Sequence, residues 1–103
     1  MPAWFLLLEP RPLPAAENMA RDEALCNICH EKKCGFLRLY AWEKPTFSIG
    51  VSQKINRSLD LEFISSRGCE YVRRLTGGKA VLHNDEITYA VASSEDLFFK
   101  EHD

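Results

Sequence analysis

The sequence predicts a mixed α+β fold in a single domain, and three observations carry that reading. Strand-like and helix-like segments follow one another in the order β-α-β-β-α-β-β-β, which suits a mixed, largely antiparallel sheet with helices packed against it. Hydrophobic residues make up 46% of the 103 positions, enough for a modest core and more than a disordered chain carries. Glycine, proline and Asn-Asp signals stand between the segments, where turns are needed.

The first strand spans residues 4–8, apolar and closed off by Pro10-Arg11-Pro12-Leu13-Pro14, which reads as a loop. Asn18 is the expected N-cap of a helix whose early Asp22 and Glu23 suit the positive end of the helix dipole. Leu25, Ile28 and Cys29 supply its apolar stripe, and Gly35 is expected to end it. Residues 36–43 and 46–53 alternate as strands on either side of Lys44-Pro45. In the second of these, Phe47, Ile49 and Val51 share one face, and Gly50 leaves space on the other. Residues 59–67 have leucine, phenylalanine and isoleucine at helical intervals before Gly68. Residues 70–75, 79–83 and 87–93 then read as a run of three strands, with Asn84-Asp85 as a turn. From Ser93 onward the sequence starts another helix, and Phe98 and Phe99 need a partner surface to cover them.

Charge and composition remove several classes of function. A net charge of −2 gives no global basic field, so any anion recognition must be local and nucleic acid is not the expected partner. The apolar run at residues 4–8 has no basic residues before it and is broken early by Glu9 and Pro10. It is neither a signal peptide nor a membrane span. A cytoplasmic protein is expected, in which four cysteines are free thiols or metal ligands rather than a disulfide framework.

The stretch Arg73-Arg74-Leu75-Thr76-Gly77-Gly78-Lys79-Ala80-Val81-Leu82-His83 holds three cations, a histidine and paired glycines without a carboxylate. It reads as strand, tight glycine turn and strand. Glycines let a ligand approach the backbone N–H groups closely, while arginine and lysine add attraction and directed hydrogen bonds to a phosphate or carboxylate. The plain alternative is an ordinary hairpin, since Gly-Gly between alternating segments is a common two-residue turn.

Cys26, Cys29, His30 and Cys34 form a second cluster, with ligand types that suit zinc. On one continuous helix they point to one broad face, and a tetrahedral site does not close easily from a single rod. Free thiols on the helix are the preferred reading. Haem attachment through Cys-x-x-Cys-His lacks the export signal it requires.

Three blocks carry a family resemblance: Asn18-Met19-Ala20-Arg21-Asp22-Glu23-Ala24-Leu25; then Leu37-Arg38-Leu39-Tyr40-Ala41-Trp42 through Ser48-Ile49-Gly50-Val51-Ser52-Gln53; and residues 72–91, with the pattern Arg-Arg-x-Thr-Gly-Gly-x-Ala-Val-Leu-His-x-x-x-x-Thr-Tyr. In these the chain resembles the biotin/lipoate protein ligase superfamily, and within it the lipoate-protein ligase A and cysteine-dependent octanoyltransferase branch. The resemblance covers nearly the whole chain, residues 1–103, as the N-terminal portion of a class-II-ligase-like catalytic domain.

The resemblance implies octanoyl or lipoyl transfer to a lysine of a lipoyl carrier domain or glycine-cleavage H protein. The donor is an octanoyl-carrier protein in the transferase branch, whereas the ligase uses lipoate with ATP and Mg. The pattern around Thr76 resembles the transferase slightly more. It further implies that Arg73, Arg74, Thr76, Gly77, Gly78, Lys79, Ala80, Val81, Leu82 and His83 form the loop that binds the acyl group or acyl-adenylate. Val72, Val81 and Ile49 are acyl-tunnel candidates for which core is the preferred role, Thr88 and Tyr89 pack beside the pocket, and His83 is read as fixing a turn by hydrogen bonding, with proton carrier as its alternative. The family's lysine or cysteine for the chemical step belongs to the following half of the domain. No catalytic residue is therefore assigned here, and a second chain supplying that half is a candidate partner. A non-catalytic acyl-binding subunit and a zinc-binding interaction domain are the rival readings.

Overall fold

The structure is a computed structural model that describes residues 3–94. The expected helix at the end of the chain, with Phe98 and Phe99, lies outside the described residues. Nine elements follow in order: β1 Trp4–Leu8, α1 Ala15–Lys32, β2 Gly35–Tyr40, β3 Thr46–Ile49, α2 Ile55–Ser58, α3 Leu61–Ser66, β4 Glu70–Arg73, β5 Val81–His83 and β6 Thr88–Ser93.

The strands divide into two three-stranded mixed sheets. One has the order β1-β2-β6, with β1 parallel and β6 antiparallel to β2; the other has the order β4-β3-β5, with β4 parallel and β5 antiparallel to β3. The expected run of three consecutive strands is thus corrected. β4 and β5 flank β3 instead of pairing with each other, and β6 belongs to the other sheet. The glycine segment is not a tight hairpin. It crosses over the end of β3.

α1 lies on the face of the first sheet that carries Arg38 and Tyr40, and the core cluster of Ala15, Tyr40 and Trp42 sits beneath it with Met19, Val72 and Ala90 against it. The helix starts three positions before Asn18. Pro14 is the N-cap, and Glu70 of β4 accepts a 3.1 Å hydrogen bond from the Ala15 N–H, satisfying a helix-end donor that has no partner within the helix. This contact joins α1 to the second sheet. At the other end Lys33, in the left-handed region with φ 56°, closes the helix, while Gly35 begins β2. Of the expected stripe, Leu25 and Cys29 are buried and Ile28 is exposed.

Asn18 has a different task. It is wholly buried and donates to Leu13 O and Ala41 O, and its own side-chain and backbone oxygens accept from Arg38. Arg38 is itself fully buried, paired with Glu9 at 2.9 Å and Asp22 at 2.8 Å, with its guanidinium 3.9 Å from the centre of the Tyr40 ring. One guanidinium therefore fastens α1, β2 and the residue after β1 together. A buried charge persists only when its hydrogen-bonding capacity is met, and four hydrogen bonds from its three nitrogens serve it here.

Among the described residues, no helix is long and apolar enough to cross a membrane.

Candidate acyl-binding site

Because β3 lies between β4 and β5, residues 74–80 must pass over its C-terminal end, at Ile49 and Gly50. The crossing is close. A Cβ on Gly50 would collide with the backbone of Gly78, carbonyl oxygen first, so the space that glycine leaves is taken by the loop. This corrects the expectation that Gly50 makes room for substrate. Gly78 has φ 107°, a conformation that side-chain-bearing residues rarely adopt. Two backbone hydrogen bonds fix the crossing, Arg74 N–H to Ile49 O and Val51 N–H to Thr76 O, each 2.8 Å.

Both arginines are engaged with this backbone. Arg73 Nη1 donates to Gly50 O, Val51 O and Gln53 O, the last at 2.6 Å. Arg74 uses Nη1 for Ser48 O and Ser48 Oγ, and Nη2 for Gly77 O and Lys79 O. It staples both ends of the glycine turn to β3. Gly77, Lys79 and Ala80 are exposed, as are Val81 and Leu82, so the expectation that Val81 is core is also corrected. Ile49 is fully buried and Val72 half-buried against the core.

His83 is buried at the centre of a polar chain. Its Nε2 lies 2.8 Å from Ser48 Oγ and its Nδ1 lies 3.1 Å from Glu86, while its ring stacks on Trp42 with centroids 4.5 Å apart. Thr88 donates to Glu86 and accepts from Trp42 Nε1, both at 2.8 Å. Partial burial pushes the Glu86 carboxyl up, but hydrogen bonds from His83 and Thr88 outweigh that and lower its pKa. An ionised Glu86 accepts from Nδ1–H. In the neutral ring this leaves Nε2 to accept the Ser48 hydroxyl proton, while the Ser48 oxygen accepts from Arg74. The turn-fixing role expected of His83 agrees with this network.

A cavity of about 280 Å³ opens between α1, β6 and the start of the loop. Arg74, Thr76 and His83 border it together with Thr88 and Tyr89. Asp22, Tyr40 and Trp42 are wall residues that sequence reasoning did not single out; the placement of Tyr40 beside Arg38 in an alternating strand was the available signal. The Tyr40 hydroxyl donates to Asp22, and burial, with the Asp22 charge next, raises its pKa. The walls are mostly carbon, supplied by Met19, Leu25, Leu75 and β6. Such a cleft suits an aliphatic chain with a polar group at one end.

The cysteine cluster does not assemble. Cys26 and His30 are exposed on α1, whereas Cys29 and Cys34 are buried and Cys29 donates to Ala92 O. Among the described residues, no three histidine, cysteine or acidic side chains come together in a way that could hold a metal ion.

Residues 14–101 match the model of the lipoyl protein ligase A/B catalytic domain. The octanoyltransferase LipM of Oceanobacillus iheyensis is 51% identical over 93 residues, covering 88% of this chain and 34% of that protein. Its namesake from Moorella thermoacetica is 51% identical over 80 residues, covering 77% and 29%. Among solved structures, a putative lipoate protein ligase from T. acidophilum superposes with a TM-score of 0.74 at 28% identity, over 99% of this chain and 42% of its own. A lipoate-protein ligase A bound with ATP does so with a TM-score of 0.72 at 31% identity, over 93% and 39%. The chain spans about a third of the length of the curated relatives it matches. With its glycine crossing, its cleft and 88 residues under one family model, the chain belongs to the lipoyl protein ligase A/B catalytic domain family.

Proposed function

We propose that this chain is the N-terminal, acyl-binding portion of an enzyme that transfers an octanoyl group to a lysine of a lipoyl carrier domain or glycine-cleavage H protein. The observation that carries the reading is the largely apolar cleft of about 280 Å³ bordered by Arg74, Thr76 and His83. Identity of about half to octanoyltransferases over most of the chain supports the same activity. The carbon walls take the aliphatic tail, and the polar edge near Thr76 and His83 receives the carbonyl end. On this reading the cysteine nucleophile belongs to the following half of the domain. We place the reaction in the cytoplasm.

The second reading is an ATP-dependent lipoate ligase, favoured by the likeness to a ligase bound with ATP. The described residues fit a nucleotide poorly. Arg73 spends its donors on backbone carbonyls, and Arg74 on carbonyls and the Ser48 hydroxyl, while Lys79 is exposed beside them. The transferase needs no phosphate grip and is preferred for that reason.

The test is an assay of octanoyl transfer from octanoyl-carrier protein to H protein without ATP. It is run with this chain alone and with the chain joined to the remainder of a LipM catalytic domain. Transfer by the joined form only is expected. Activity that requires lipoate, ATP and magnesium selects the ligase instead, and no activity with either donor overturns both readings.

A further inference from the structure

Trp42, Thr88, Glu86, His83, Ser48 and Arg74 form one unbroken line of hydrogen bonds beside the cleft. Its two ends can only donate, Trp42 through Nε1–H and Arg74 through its guanidinium. Trp42 therefore makes Thr88 an acceptor, which commits the Thr88 hydroxyl hydrogen to Glu86 at 2.8 Å. From the other end Arg74 donates to Ser48 Oγ, the Ser48 hydrogen turns to His83 Nε2, and Nδ1–H is left to point at Glu86. Both directions end on the same carboxylate oxygen, Oε2. Of these six residues Glu86 alone only accepts, and it sets the direction of every bond in the line.

The Arg74 end of the line holds the glycine crossing. The guanidinium that donates to Ser48 also donates through Nη2 to Gly77 O and Lys79 O, and Arg74 and Thr76 border the cleft. A proton added to His83 upsets this arrangement. Nε2 then carries a hydrogen aimed at Ser48 Oγ, so the Ser48 hydrogen loses its acceptor, and two cations share one oxygen of a fully buried residue. Glu86 pairs with the charged ring on the Nδ1 side, which leaves the bond between Ser48 and Arg74 to bear the cost. The remaining charged groups nearby are committed elsewhere. Glu70 of β4 shares the register of Thr46 with His83 but accepts from the Ala15 N–H, while Asp22 and the Tyr40 hydroxyl, on the cleft wall, are bonded to each other and Asp22 to Arg38.

We propose that Glu86 is a positioning residue of the acyl site. It holds His83 in the neutral Nδ1–H form and through Ser48 keeps Arg74 on the glycine crossing, so that the crossing is firm while the ring is neutral and loosens when the ring is protonated. The proposal rests on the reading of the cleft as the acyl site. Burial pushes the Glu86 carboxyl up, but hydrogen bonds from His83 and Thr88 outweigh that and hold it below the ordinary value, so this acceptor stays ionised where an imidazole titrates.

The experiment compares the full chain with Glu86→Gln and Glu86→Met. Both replacements keep the length of the side chain, and only the glutamine oxygen can accept from Thr88 and Nδ1–H. The readouts are the ¹⁵N shifts of the His83 ring and the exchange of the Arg74 and Val51 amides, whose bonds to Ile49 O and Thr76 O hold the crossing. In Glu86→Met the ring should leave the Nδ1–H form and the two amides should lose protection by about ten-fold or more, while the amides of β2 keep theirs. Glu86→Gln should restore both readouts at neutral pH, which a role in packing alone would not do. In the parent, protection of the two amides relative to their intrinsic rates should fall between about pH 8 and 5, over the interval in which the ring nitrogens report protonation, with β2 again the reference. In the form joined to the remainder of a LipM catalytic domain, Glu86→Met should raise KM for octanoyl-carrier protein about ten-fold and change kcat less, because the crossing borders the cleft without supplying the nucleophile. Parent-like shifts and protection in Glu86→Met overturn the proposal. So does loss of protection in all strands together, or a ring that titrates while the two amides stay protected. Absence of transfer by the joined parent removes the proposed activity alone, and the amide exchange then decides the positioning role by itself.

Discussion

Arg74 Nη1 donates a 2.6 Å hydrogen bond to the hydroxyl of Ser48, whose oxygen lies 2.8 Å from His83 Nε2. One buried hydroxyl thus links the arginine that staples the glycine crossing to the histidine at the edge of the cleft. Both connections depend on β3 lying between β4 and β5, which places Ser48 in the register of Val72 on one side and Val81 on the other.

Ser48→Ala removes the shared partner and leaves His83 Nε2 and one Arg74 N–H short of a hydrogen bond in a buried site. The expected cost is about 1–3 kcal/mol, the usual penalty for an unsatisfied buried polar group. The ¹⁵N shifts of the His83 ring report its tautomer directly. They should move away from the Nδ1–H form in Ser48→Ala and stay in Ser48→Thr. Identical spectra in the alanine variant would show that Ser48 does not hold the ring.

The two glycines nearest the crossing predict opposite outcomes. Gly50→Ala drives a methyl group into the Gly78 backbone, which cannot swing away as a flexible side chain would. The loop must lift, at a cost of about 1–3 kcal/mol, and trypsin should cut faster after Lys79. A Cβ on Gly77 meets nothing within 4 Å, so Gly77→Ala should melt and digest like the parent chain. Equal behaviour of the two variants contradicts the crossing geometry.

Much of this arrangement was legible in the sequence, and the misses have physical causes. β1 falls where the apolar run ahead of the proline-rich stretch demanded, and the loop residues Arg74, Thr76 and His83 do border the cleft. The start of α1 was hidden because its cap comes from Glu70, 55 residues away, while Asn18 looks locally like a cap and serves instead as the partner of a buried arginine. The glycine hairpin misled for a similar reason. Gly-Gly between two strands is a local signal, and nothing local reveals a third strand inserted between them. Of the wall formed by Asp22, Tyr40 and Trp42, only Tyr40 carried a local signal, its place two residues from Arg38 in an alternating strand; the rest is set by tertiary packing.

Arg38 is the residue whose loss should hurt stability most. Arg38→Met keeps much of the side-chain volume but leaves Glu9, with a side chain 4% exposed, with only the surface Arg21 as its partner, and Asp22 with only the Tyr40 hydroxyl. Breaking one partner of a buried pair costs about 3–5 kcal/mol, so chemical denaturation should show a large fall in the midpoint. Arg21 also pairs with Glu9 but from the surface, and Arg21→Ala should shift the midpoint little. A small effect of Arg38→Met would mean that the carboxylates find water or each other without cost.

Cys29 should make the fold sensitive to alkali. Burial first, then the neighbouring Cys34 through its charge and hydrogen bond, pushes the Cys29 thiol from 9.0 up to about 11. The folded chain holds this proton where the unfolded chain releases it. The contribution is therefore fully present below pH 9 and is lost as the pH rises through about 11, a loss of roughly 3 kcal/mol for two units at 1.36 kcal/mol each. The buried Tyr40 hydroxyl, also raised, acts in the same direction, so the comparison is with Cys29→Ala, in which only the thiol's share disappears. Urea midpoints of the parent should fall more steeply than those of Cys29→Ala between pH 9 and about 11, the range set by the two thiol values. At pH 8 iodoacetamide should label the exposed Cys26 before the buried Cys29. Parallel pH curves, or early labelling of Cys29, would mean that this thiol is open to solvent in the folded chain.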